Sequence, residues 1–210
     1  MALHRFDTAR LAATPWKNGG GSTREIVCQP PGAGMDGFDW RVSIATIAAA
    51  GPFSAFPGVD RVIMLLAGAG VRLHSAAGQV DHRLDTRCAP FAFAGDIALD
   101  CELLGGASTD FNVMTRRDRL RAEVRVVDAA CAIAPAERGL LLALNGAWQL
   151  QADAGPLSCA ADTGLWWDGA LQRWRATPQQ PGATLVVVRL ESALPPDLER
   201  NMPKVLAVRA

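Results

Sequence analysis

Apolar and polar residues alternate with a period of two along much of the chain, which is the spacing of half-buried strands. The alternation runs through WRVSIATI (40–47), RVIMLLAGAGVRL (61–73), FAFAGDIALDCELL (91–104) and DFNVMTR (110–116). These blocks are short and rich in β-branched and aromatic residues. Between them GPFSAFPG, HSAAGQ and LLGGASTD supply the glycines and prolines that chain reversals need. Many short strands at regular spacing predict a mainly β sandwich or barrel. Helical signals are weak: residues 120–127 are charged and β-branched, and 129–141 carries Pro135 and Gly139. At most one or two short helical turns are expected.

Three blocks recur in order. VIMLLAGAGVRL (62–73) resembles LLLALNGAWQL (140–150), FAFAG (91–95) parallels LWWDG (165–169), and GASTDFNV (106–113) parallels GATLVVV (182–188). Blocks recurring in the same order at a similar offset, roughly 74 to 78 residues, mark a duplicated unit. Two barrel halves are expected, 1–118 with the candidate pocket and 119–210 as a degenerate copy. The stretch 118–135 reads as their connection, with a soft boundary across which strands can be shared.

Composition narrows the partners. Lys plus Arg (21) equals Asp plus Glu (21), so no global field attracts nucleic acid or an anionic membrane, and a charged ligand has to be held by local groups. No apolar run reaches the ~18 residues of a membrane helix, and the N-terminus lacks the apolar core of a secretory signal, so a cytoplasmic protein is expected. Cys28, Cys88, Cys101, Cys131 and Cys159 are odd in number and form no C-x-x-C, which fits reduced thiols.

This strand grammar resembles the cupin barrel, whose first motif, G-x5-H-x-H-x4-E-x6-G, usually supplies two His and one Glu to a divalent metal. With the final glycine on Gly68, the His positions fall on Ser54 and Phe56 and the Glu position on Arg61. The second motif, anchored on Gly95, puts its His at Ala98. No metal and no cofactor are therefore expected. His74 and His82 could meet across a hairpin but lack a third ligand, and His4 lies near the terminus. Exchanging Glu for Arg replaces a cation ligand by a fork of five donors, which suits a carboxylate. The structural alternative is that Arg61 pairs with Asp60 or another acid at the rim.

The densest polar run is WKNGGGSTREI (16–26). It lacks G-x4-G-K-[ST] and is followed by no clear helix, so a nucleotide nest is not indicated. It reads as a tight loop along the pocket mouth in which Lys17, Asn18 and Arg24 offer donors, or else as a simple turn. Alternation places Asp110, Asn112 and Met114 on one face of their strand, and Arg41, Ser43 and Ala45 on one face of another. Polar faces that point into a barrel line its pocket; the alternative is that they face solvent.

Taken in order, WKNGGGSTREI, FDWRVSIATI, GPFSAFPGVDRVIMLLAGAG, FAFAGD and GGASTDFNVMTRR resemble the HutD/Ves family over roughly residues 5–190. The resemblance implies a bicupin, two cupin-like jelly-roll halves in one chain, linked to histidine utilisation in a regulatory or metabolite-sensing role with no established enzymatic activity. It further implies a small anionic metabolite such as urocanate or formylglutamate as partner. The resulting expectation is a non-catalytic binding protein with Arg61 as anion clamp and Asn18, Arg24, Ser43 and Asn112 orienting the ligand. Lys17, Arg41 and Asp110 are further candidates, and a homodimer is conceivable. Two alternatives stand beside it: an enzyme using Asp110, His74 or Glu25 as acid/base or recruiting an unforeseen metal, and an interaction protein.

Overall fold

Strands make up nearly all the regular structure, as the period-two pattern requires. The structure, a computed structural model, describes residues 3–193; the end of the expected second half, 194–210, lies outside the described residues. In the first half the strands are β1 (His4–Asp7), β2 (Ala13–Pro15), β3 (Gly21–Gln29), β4 (Trp40–Ile47), β5 (Gly51–Phe53), β6 (Val59–Ala67), β7 (Val71–His74), β8 (Asp81–Leu84), β9 (Phe91–Ala94), β10 (Leu99–Leu103) and β11 (Ser108–Arg116). The second half carries β12 (Leu120–Val127), β13 (Cys131–Ala136), β14 (Arg138–Asn145), β15 (Trp148–Ala152), β16 (Gly155–Cys159), β17 (Thr163–Trp167), β18 (Gln172–Pro178) and β19 (Thr184–Ser192). Helical structure among the described residues is one turn, α1 (Gly34–Gly37), and a 3-10 turn at Thr8–Arg10.

The duplication is visible in the pairing. A large sheet contains the order β9-β6-β11-β4 in the first half and β17-β14-β19-β12 in the second; a small sheet has the order β5-β10-β7-β8 and then β13-β18-β15-β16. Each half is thus the same eight strands folded into two sheets. Three strands are additions: β2 and β3 extend the first large sheet beyond β4, while β1 pairs antiparallel with β17 of the other half. The stretch 118–135, expected as a connection, carries β12 and most of β13 instead. In it Leu120, Ala122, Val124 and Val126 alternate with Arg121, Glu123 and Arg125, which is the pattern of a strand with one wet face.

Of the four apolar clusters among the described residues, the three largest follow from this layering. Ile47, Ile63 and Leu65 of the first large sheet meet Leu73, Leu84, Leu99 and Cys101 of its small sheet. In the second half Leu141, Leu185 and Val187 meet Trp148, Leu150 and Trp174. Between the halves the backs of the two large sheets join, with Val42, Ile44, Phe111 and Val113 against Leu140, Leu142, Val186 and Val188. Burial of such side chains stabilises by about 1.5–3 kcal/mol each. Gly68 shows how tightly the turns are drawn: its φ is +95°, and an added Cβ would lie 2.6 Å from the Ala107 carbonyl oxygen.

Candidate functional site in the first barrel

Three adjacent strands build the site. In the β6-β11-β4 register, Arg61 lies opposite Met114 and Met114 opposite Arg41; one step along, Ile63, Asn112 and Ser43 align, then Leu65, Asp110 and Ala45. Residues opposite one another point to the same face, here the barrel interior, because Ile63 and Leu65 belong to its core. Five polar side chains are thereby withdrawn from water: Arg41, Ser43, Arg61, Asp110 and Asn112 are each under 10 % exposed. Glu25, opposite Ser43 on β3, stands at the edge of this group with its side chain about half exposed.

Arg61 is the centre of this group. Its Nε donates to Asn112 Oδ1 at 3.4 Å and an Nη to the Ser54 carbonyl at 3.3 Å. The guanidinium carbon lies 4.5 Å from the Phe53 ring centroid, 5.2 Å from Phe93 and 5.4 Å from Phe56. Such aromatic faces hold a cation when it is desolvated, at about 2 kcal/mol each in the best geometry. The three rings are half-buried, so they form a rim between the guanidinium and solvent. Gly95 admits the Arg61 stem: an added Cβ would sit 3.4 Å from Arg61 Cδ and 2.8 Å from the Val59 carbonyl oxygen. Arg41 is held differently. Its Nε makes a 2.7 Å ion pair with Glu25 Oε2, and an Nη reaches Ser43 Oγ at 3.4 Å.

Asp110 is the uncompensated member. Its Oδ1 is buried with no hydrogen-bond partner, and it makes no ion pair among the described residues. An unsatisfied buried acceptor of this kind costs about 1–3 kcal/mol. Burial raises its carboxyl to a pKa of about 7, against the opposing pull of Arg61. Burial also lowers the Arg61 guanidinium to about 10, which leaves it cationic at neutral pH. Cys101, across the barrel on β10, is pushed to about 11 by burial and by the nearby charge of Asp110, and stays a thiol.

Of the glycine-rich run only Glu25, near its end, reaches this cluster; the glycines and the residues before them do not. These form the turn of the β2–β3 hairpin, where Asn18 Oδ1 accepts from the Gly20 amide at 3.0 Å and Lys17 and Asn18 are exposed. Gly21 pairs with Ile47, which pairs with Ser108, six residues along β11 from the row of Arg61 and so roughly 20 Å away along the strand. Arg24 pairs with Ile44 and therefore faces the opposite side of the sheet, where it lines a cleft of about 430 Å³ with Thr8, Leu66, Thr109, Leu142 and Asp162. A second, shallower depression of about 720 Å³ is lined by Asp36, Gly58 and Arg116 to Arg119. Neither contains Arg61. His74 and His82 point to opposite faces of their hairpin, since Leu73 aligns with His82 and His74 with Asp81. His74 Nε2 lies 3.2 Å from Glu102, and His82 stacks on Phe91.

Comparison with known proteins fits this architecture. The sequence pattern of the HutD family matches residues 8–186. The chain belongs to the HutD family. Protein Ves of Cronobacter sakazakii is 44% identical over 163 residues, 77% of this chain and 85% of that one. A conserved protein of unknown function from Pseudomonas aeruginosa PAO1 superimposes with a TM-score of 0.83 at 35% identity, covering 91% of this chain and 100% of that one. HutD from Pseudomonas fluorescens SBW25 does so at 0.76 and 31% identity, covering 91% and 99%. The fold is cupin-like: a conserved cupin barrel protein from Leptotrichia buccalis superimposes at 0.57 with 8% identity.

Cupin barrels commonly hold a metal, and the residues of this HutD-family chain do not fit one. Ser54, Phe56 and Arg61, at the first motif's ligand positions, do come together, but they bring a backbone carbonyl, a phenyl ring and a guanidinium. Ala98, at the second motif's His position, is exposed and offers no donor atom. Among the described residues no three His, Cys, Asp or Glu side chains are grouped to bind a cation. Two parts of the HutD-family site go beyond the sequence expectations: Glu25 as the partner of Arg41, and the rim of Phe53, Phe56 and Phe93. A bulge between Glu25 and Val27 sets which β3 residues share the inner face, and alternation alone does not reveal a bulge.

Proposed function

We propose that this HutD-family protein is a non-catalytic binding protein whose first barrel takes a carboxylated metabolite of histidine degradation, of the urocanate or formylglutamate kind, and that occupancy modulates histidine utilisation. The observation that carries this reading is Arg61, a buried cation held by Asn112 and three aromatic rings with no acidic partner within ion-pair distance among the described residues. A guanidinium so placed suits a planar carboxylate, which can accept two parallel N–H bonds. Arg41, Ser43 and Asn112 add donors on the same face. The link to histidine breakdown rests on family membership, and HutD of P. fluorescens has been determined in a formate condition, formate being the smallest carboxylate.

Calorimetric titration with urocanate, formylglutamate and formate tests it. Wild-type protein is expected to bind at least one of them, and Arg61→Met to lose at least about tenfold in affinity, the least expected when a charge-assisted hydrogen bond is removed. Arg24→Ala, on the far side of the sheet, is expected to bind as wild type. No binding by any of the three acids, or unchanged binding by Arg61→Met, overturns the proposal.

A further inference from the structure

Apart from Arg61, the first barrel holds a second polar group whose partner is missing, and it lies on the same inner face. Asp110 stands two residues from Asn112 on β11, and Asn112 is the residue that Arg61 Nε contacts. It is 2 % exposed, and its Oδ1 has no hydrogen-bond partner among the described residues. The groups around it do not neutralise it. From β6 Arg61 acts on it through charge alone; β4 sets Ala45 opposite it, with Arg41 further along the same face already paired with Glu25 of β3; and β10 brings the Cys101 thiol. β7 presents Val71 and Leu73 to this interior, and His82 of β8, aligned with Leu73, is stacked on Phe91.

A carboxylate that enters to meet Arg61 therefore meets a second carboxyl group in the same dry space. Two ionised carboxylates do not share such a site; one of them takes a proton. We propose, resting on the carboxylate-binding reading above, that Asp110 is the second anchor of the bound anion and acts in its protonated form, donating its O–H to the ligand carboxylate while Arg61 supplies the charge. Above about pH 7, where Asp110 is otherwise ionised, each carboxylate then enters together with one proton and the interior charge is unchanged on binding. The ligand class is correspondingly a compact monoanionic head, one oxygen toward Arg61 and the other accepting from Asp110.

The raised pKa of Asp110, about 7, sets the pH range. The incoming negative charge raises it further, so protons are taken up on binding at neutral and mildly alkaline pH. Affinity is then flat below about pH 7 and falls up to tenfold per unit above it. Formate and formylglutamate are the probes of choice, because neither has a group titrating near neutrality. Calorimetry at about pH 8 in two buffers of different ionisation heat is expected to show uptake of roughly half a proton or more per anion. Asp110→Asn is expected to bind with no proton uptake and no pH dependence, its amide N–H replacing the carboxyl donor. On the wild-type protein, difference infrared spectra on adding formate are expected to gain a protonated-carboxyl band at that pH. Binding without proton uptake, or without that band, overturns the role of Asp110 and leaves the carboxylate reading standing. Failure of both acids to bind between about pH 6 and pH 8.5 overturns both.

Discussion

The two barrels share a strand order and differ in what their inner faces carry. Arg61 of β6 pairs with Phe93 of β9; at the matching place Gly139 of β14 pairs with Trp167 of β17. An added Cβ on Gly139 would lie 2.6 Å from the Trp167 ring, so the indole occupies the space that Arg61 takes up in the other half. Asn112 and Asp110 of β11 correspond to Val187 and Leu185 of β19, by their register against β6 and β14. One interior is thus a cluster of charges under an aromatic rim; the other is filled mainly by Leu, Val and Trp, and its Arg189, opposite Gly139, is neutralised by Glu123 and Glu191. The same backbone supports both because a strand pair fixes where side chains point and leaves open what they are. The apolar copy braces the polar one: its large sheet packs back to back with the sheet that carries Arg41, Arg61 and Asp110.

Forcing the second barrel to resemble the first is the most severe way to break this contrast. Gly139→Arg drives a cation against Trp167 and the Val188 carbonyl oxygen, opposite the existing cation Arg189. The expected loss is at least about 4 kcal/mol, read as a lowered urea midpoint or failure to fold. The reverse exchange is milder. Arg61→Met, Asp110→Leu and Asn112→Val together give the first barrel an apolar face like that of the second. This variant is expected to gain about 1–4 kcal/mol in urea denaturation while losing carboxylate binding altogether. A gain in stability with binding retained would remove the polar cluster from the site.

The third test sharpens the comparison through pH. Asp110 keeps its proton up to about pH 7 when folded, whereas an unfolded aspartate ionises near 3.9. Between those values the folded state holds more protons, so this group's contribution is full below about pH 4 and is lost as pH rises through 7. Wild-type stability is expected to decline by about 2 kcal/mol between about pH 5 and 7 through this group, and Asp110→Asn to lack that component. Denaturation at a series of pH values measures it; equal slopes in the two proteins would place Asp110 in a wetter setting than the one described.

Much of the inner face was legible as alternation. DFNVMTR and WRVSIATI set Asp110, Asn112, Arg41 and Ser43 apart from Phe111, Val113, Trp40 and Val42, and the fold sends the two groups to the barrel interior and to the seam between halves. The repeat was legible too, because duplicated strands keep their glycines and apolar faces. The loop residues were not. Whether Lys17, Asn18 and Arg24 lie near Arg61 depends on which end of β4 the β2–β3 hairpin joins and on the bulge in β3, and these are long-range pairing facts. β12 escaped notice because one of its faces is charged, so its mean polarity resembles that of a linker although its alternation is that of an edge strand.

The first strand has a consequence for how the chain is made. β1 closes the edge of the second barrel by pairing His4 to Asp7 with Thr163 to Trp166. During synthesis its partner emerges about 160 residues later, roughly 10–30 s at ordinary elongation rates. The rest of the first barrel, from β2 to β11, can assemble while the ribosome is still working. β1 must wait, and its docking on β17 ties the two barrels together only once the second has been made.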